Sequence, residues 1–98
     1  MEAVRFHRLA TKEYRFARNW YRQRDASVAG RFQDAVDSAV NRIVAAPDSH
    51  PVLVDDIHWV RVRRFPYILV FARESSDSLL VIAIAHAKRR PGYWKRRR

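Results

Sequence analysis

Seven apolar residues in a row, Leu79 to Ala85, constrain this chain more than any other feature. The run does not alternate, so it is not a strand with one wet face. It falls far short of the roughly 20 residues that span a bilayer. It reads as a central strand, starting at Ser78 and buried on both faces. Straight after it comes His86-Ala-Lys-Arg-Arg-Pro-Gly-Tyr-Trp-Lys-Arg-Arg-Arg98, with one histidine, seven cations and two aromatics. A buried strand thus delivers this group to one end of a small domain. Such a cluster has the chemistry to grip a phosphate backbone and stack on bases.

The elements upstream are few and long, because only two glycines and four prolines punctuate the chain. Val4-Arg-Phe-His7 alternates as a short first strand. From Thr11, a plausible N-cap, Tyr14, Ala17, Trp20, Tyr21 and Arg24 fall at helical spacing. Asp25-Ala-Ser27 breaks that helix. Val28, Phe32, Ala35, Val36, Ala39, Val40 and Ile43 then form a one-sided stripe that Pro47 ends. The short connection predicts an antiparallel helix hairpin. Asp48 to Asp56 reads as a loop. His58 to Arg63 alternates, with Val60 and Val62 on one face and Trp59, Arg61 and Arg63 on the other. A corner at Arg64-Phe-Pro66 leads into Tyr67 to Phe71, and Glu74-Ser-Ser-Asp77 turns into the last strand.

The expected fold is therefore α+β and two-layered, in the order β-α-α-β-β-β. The helix hairpin packs on one face of a mostly antiparallel sheet. The opposite face, with Trp59, Arg61 and Arg63, is expected to be open and cationic. Residues 1–98 make one domain, with 86–98 as a basic, aromatic C-terminal segment.

Charge narrows the partners. The net charge is +10, and arginine supplies seventeen of twenty cations. Arginine's planar fork binds phosphate and carboxylate bidentately and stacks on rings, so the bias points to an anionic partner. The chain has no cysteine, which excludes a disulfide framework, a thiol nucleophile and a thiolate metal site. His7, His50 and His58 lack metal-ligand spacing, so neither a metal nor another cofactor is expected. Charges interrupt the N-terminal residues where a secretory leader needs an apolar core. A soluble, cytoplasmic protein with no membrane contact is the expectation.

Three local motifs stand in that element order: Trp20-Tyr21 late in the first helix, Arg64-Phe-Pro-Tyr-Ile-Leu-Val-Phe71, and Ala85-His-Ala-Lys-Arg-Arg-Pro-Gly-Tyr-Trp94. Together they resemble the RelE/ParE toxin superfamily of bacterial toxin–antitoxin systems, over nearly the whole chain. The resemblance implies a compact toxin masked by a small antitoxin encoded beside it. RelE-like members cleave messenger RNA in the ribosomal A site, and ParE-like members inhibit DNA gyrase. The histidine followed by Arg-Pro-x-Tyr-Trp looks more like the ParE-like, plasmid-stabilisation branch. The RelE-like pattern has lysines ahead of the second strand's arginine, whereas the Asp48 to Asp56 loop here is acidic and lacks lysine.

Each candidate residue has a functional and a structural reading. RNA cleavage needs a base for the 2′-hydroxyl, cations for the developing charge and an acid for the 5′-oxygen. His86 can serve as base or acid, Arg64 as a phosphate-facing cation and Tyr93 as a hydroxyl. Otherwise His86 ends a buried strand and bonds a backbone carbonyl, and Arg64 pairs with Asp55 or Asp56. Arg61, Arg63, Arg64, Lys88, Arg89, Arg90, Tyr93 and Trp94 are the candidate target-binding residues, although Tyr93 and Trp94 can instead fold back onto the sheet. Trp20 and Tyr21 read as core, and Lys95 to Arg98 as a solvated basic tail. The expected antitoxin offers an acidic, helical segment that lies over the helix hairpin and reaches toward the cationic face. Oligomers can arise through the toxin–antitoxin complex. The target is expected to be DNA gyrase or, alternatively, the ribosome and its messenger RNA.

Overall fold

A computed structural model describes residues 3–98. The chain runs β1 (Ala3–Phe6), α1 (Arg8–Arg24), α2 (Ala26–Ala45), β2 (Val52–Val54), β3 (Ile57–Val62), β4 (Tyr67–Ser75) and β5 (Ser78–His86). The five strands form one sheet in the order β1-β5-β4-β3-β2. β1 runs parallel to β5, and every other pair is antiparallel. The α+β arrangement matches the expectation, with the uninterrupted apolar strand β5 in an interior position.

Three local details differ from the sequence reading. First, α1 begins a turn before Thr11, because the His7 imidazole is the cap: its Nδ1 accepts the Leu9 amide at 3.1 Å. The Thr11 amide is then already inside the helix, donating to the His7 carbonyl. Second, the helix connection is a single residue. Asp25 closes α1 by donating its amide to the Tyr21 carbonyl, and its carboxylate accepts from Ser27 at the start of α2. Third, the segment expected to be a loop holds an extra edge strand. β2 pairs Val52 with His58 and Val54 with Ile57, across a register shift that three residues could not announce as alternation.

The sheet separates two apolar layers. Val60, Val62, Leu69, Phe71, Leu79, Val81 and Ile84 pack under the helices around a fully buried Phe32. Tyr14, Tyr21, Phe65 and Tyr67 stack or cross their rings against Phe32 at centroid distances of 5.1–5.8 Å. On the far side, Ile57, Val70, Ala72, Leu80, Ile82, Ala83 and Ala85 form the second layer. A bulge opposite Val70 and Phe71 puts both Ile82 and Ala83 on that far face, so the side chains of β5 change phase before Ile84.

The far face was expected to be open and cationic; it is so at Arg61 and Arg63 of β3, which are exposed, but not over β5. Trp94, only 4% exposed, is buried against it, with Tyr93 beside it. A strand apolar on both faces needs two covers, and with both helices on one side the C-terminal segment supplies the second. Gly92 allows the chain to turn back: its φ is +85°, and a Cβ there would stand 2.9 Å from the Lys95 side chain.

Candidate functional site

The functional candidates lie where β4 starts and β5 ends. Ala87 donates its amide to the Pro66 carbonyl, and Arg89 donates to the His86 carbonyl, so the chain turns tightly on leaving β5. Within that turn His86 Nδ1 accepts the Lys88 amide at 3.0 Å, which leaves the ring's proton on Nε2. The imidazole sits edge-on to Tyr67, with centroids 4.9 Å apart. Its partner is thus a backbone amide, not the carbonyl considered from sequence.

Glu13 organises the site. It is the one acidic residue of α1. β1 ends opposite Val81, which leaves the edge of β5 without a strand partner farther along. There Glu13 Oε1 accepts the Ile84 amide at 3.0 Å, and Arg97 Nη1 donates to the Ile82 carbonyl at 3.2 Å. The two side chains continue the ladder that β1 abandons. They also pair with each other through two hydrogen bonds, and Tyr93 donates its hydroxyl to Glu13 Oε2 at 2.7 Å. Burial first, and then the neighbouring Glu13 carboxylate, pushes the Tyr93 hydroxyl well above its ordinary range.

The supposed solvated tail is therefore bound in place. Arg97 is nearly buried on Glu13, and Arg98 forms a fork with Asp56 at 2.6 and 2.8 Å. The Arg98 guanidinium holds the Asp56 carboxyl below the usual carboxylate range. This also disposes of Asp56 as a partner for Arg64, which makes no ion pair among the described residues.

Beside the Glu13 staple lies an apolar cavity of about 780 Å³. Its floor includes Tyr67, Ile84 and Tyr93, its outer wall is Phe16 and Trp20 of α1, and His86 and Arg89 stand at its rim. Arg89 lies over the Tyr93 ring at 4.0 Å. Phe16 is 73% exposed and Trp20 44%, so Trp20 is a surface residue rather than core; Arg24 stacks on it at 3.5 Å. Only Tyr21 of that pair joins the aromatic cluster around Phe32.

The other cationic candidates lie elsewhere. Arg61, Arg63 and Arg64 line a second concavity, together with Arg42, His50 and Trp59. Arg64 has φ +72°, a left-handed backbone unusual for a side chain of this size. Lys88 and Arg90 are exposed on the turn after β5. The imidazole and tyrosine therefore share one cavity, and the strand arginines share another. Sequence reasoning missed Glu13, Arg42, Phe16 and Arg97. Of these, Glu13 carried a signal, as a lone acid in a helix otherwise rich in arginine.

A two-helix cover on a mostly antiparallel sheet, with a basic end and a folded-back aromatic tail, is an α+β fold consistent with the RelE/ParE toxin superfamily. The family model for the ParE toxin of the type II toxin–antitoxin system parDE matches residues 4–91, and the chain belongs to that family. Tyr93, Trp94 and Arg97 lie just beyond the matched residues. No curated protein matches the chain.

Proposed function

We propose that this chain is a growth-inhibiting toxin that acts on DNA gyrase by binding it, and that a cognate antitoxin with an acidic segment neutralises it. One observation carries this reading: the groups that RNA cleavage would use are not gathered at one site. His86 holds the Lys88 amide, Tyr93 holds Glu13 with its hydroxyl far less acidic than usual, and Arg64 faces a different concavity. A general acid or base must reach the proton it moves, with a pKa near working pH. A binding toxin has no such requirement. It needs an apolar anchor with a charged rim, and the Phe16–Trp20 cavity has both.

The test is inhibition of gyrase supercoiling by the purified, folded chain. Inhibition that the antitoxin relieves, with no new transcript ends after induction, is the expected result. No inhibition by folded protein, with new transcript ends appearing after induction, would replace this reading with the ribosome-dependent ribonuclease.

A further inference from the structure

The concavity at the outer edge of β3 has no role in that reading, and its chemistry is distinctive. β2 pairs only with Ile57 and His58, and Trp59 donates its amide to the Pro51 carbonyl, so beyond that point the outer edge of β3 has no strand neighbour among the described residues. Arg42 crosses from α2 and donates through Nη2 to the Arg61 carbonyl. This brings Arg42, Arg61, Arg63 and Arg64 around one hollow of about 450 Å³, with the Trp59 ring in its wall. Among the described residues no carboxylate lines it, and none of the four arginines forms an ion pair.

The arrangement is uncompensated in two further ways. Arg42 Nε is buried without a hydrogen-bond acceptor. Desolvation, and after it the like charge of Arg63, makes the Arg42 guanidinium easier to deprotonate than usual. Arg64 also holds the left-handed backbone that tends to occur where function requires strain. Four guanidinium groups beside an indole, in a hollow of this size, suit an anion carried next to a flat ring.

We propose that this hollow binds a single-stranded nucleic acid, with one backbone phosphate among Arg42, Arg61, Arg63 and Arg64 and an adjoining base against Trp59. An acidic peptide offers the charge but not the ring, so a nucleotide unit fits the site better. The site lies apart from the apolar cavity, and the proposal does not rest on gyrase being the target.

The experiment follows the fluorescence anisotropy of labelled short DNA and RNA strands as the full chain is added. Arg61→Gln with Arg63→Gln, both exposed, should weaken binding about tenfold or more, since each guanidinium removed takes its charge-assisted bonds to phosphate with it. Arg22→Gln with Arg31→Gln on the helix hairpin removes the same charge and should change affinity by about twofold at most. A strand abasic throughout should bind about tenfold more weakly, because it has no base to stack against Trp59. Comparing DNA, RNA and duplex then identifies which strand is preferred. Equal losses from both arginine pairs, unaltered binding of the abasic strand, or equal competition by an oligoglutamate peptide would each overturn the proposal.

Discussion

Glu13 and Arg97 lie 84 positions apart in sequence and meet through two parallel hydrogen bonds of 2.9 and 3.0 Å, with both side chains largely withdrawn from solvent. The same carboxylate takes the Ile84 amide and the Tyr93 hydroxyl, so one side chain joins α1, β5 and the C-terminal segment. A carboxylate with four such donors is well satisfied, whereas any donor left behind by its removal is not.

Glu13→Ala should therefore destabilise the fold by about 3 kcal/mol, the scale for stranding one member of a buried pair. Urea denaturation followed by circular dichroism would register the lowered midpoint. Spectrophotometric titration of the variant should show the Tyr93 hydroxyl ionising closer to 10, because its acceptor is gone and its burial is reduced.

Trp94→Ala should cost about 3–5 kcal/mol, as expected for truncating a large buried aromatic. Removing the indole also uncovers Leu80, Ile82 and Ala85, so binding of a hydrophobic dye should rise in native buffer. If the tail were only a solvated extension, neither change would occur.

Phe16→Ser and Trp20→Ser alter exposed positions, and each should shift stability by no more than about 0.5 kcal/mol. Both remove the outer wall of the apolar cavity. On the proposed gyrase-binding reading, the double variant should lose inhibition with its melting temperature held.

His7 supplies a pH dependence. Burial, followed by the charges of Arg97, Arg8 and Arg5, lowers its pKa below the ordinary 6.5, in keeping with a neutral ring that accepts the Leu9 amide. A depressed folded pKa means the unfolded chain takes up its proton first. The contribution is therefore complete above pH 6.5 and is lost as pH falls through the lower folded value. His7→Asn keeps a cap acceptor without titrating, so its stability should vary less with pH below 6.5 than that of the unsubstituted chain.

Much of the fold was legible because periodicity reports burial. The stripe from Val28 to Ile43 became α2, and the unbroken Leu79–Ala85 run became an interior strand. The far face was misjudged because pattern shows that β5 needs two covers but not what provides the second. Trp94 fills that need through a turn at Gly92, a tertiary choice with no periodic signature. The candidate site was less legible for the same reason. Arg61 and His86 are each recognisable chemistry, but the sheet sends them to separate hollows. Arg42, in the last turn of α2, drew no notice in the sequence, because only the tertiary fold brings it to the Arg61 carbonyl at the edge of β3.

The parallel pairing of β1 with β5 has a consequence for biosynthesis. Ala3 must wait for Ser78, and the helix hairpin made in between has no finished sheet to rest on. At about 5–20 residues per second, the emerging chain spends several seconds without its native topology. A chain wired this way acquires its shape only when synthesis is nearly over, so any activity that depends on the fold begins late.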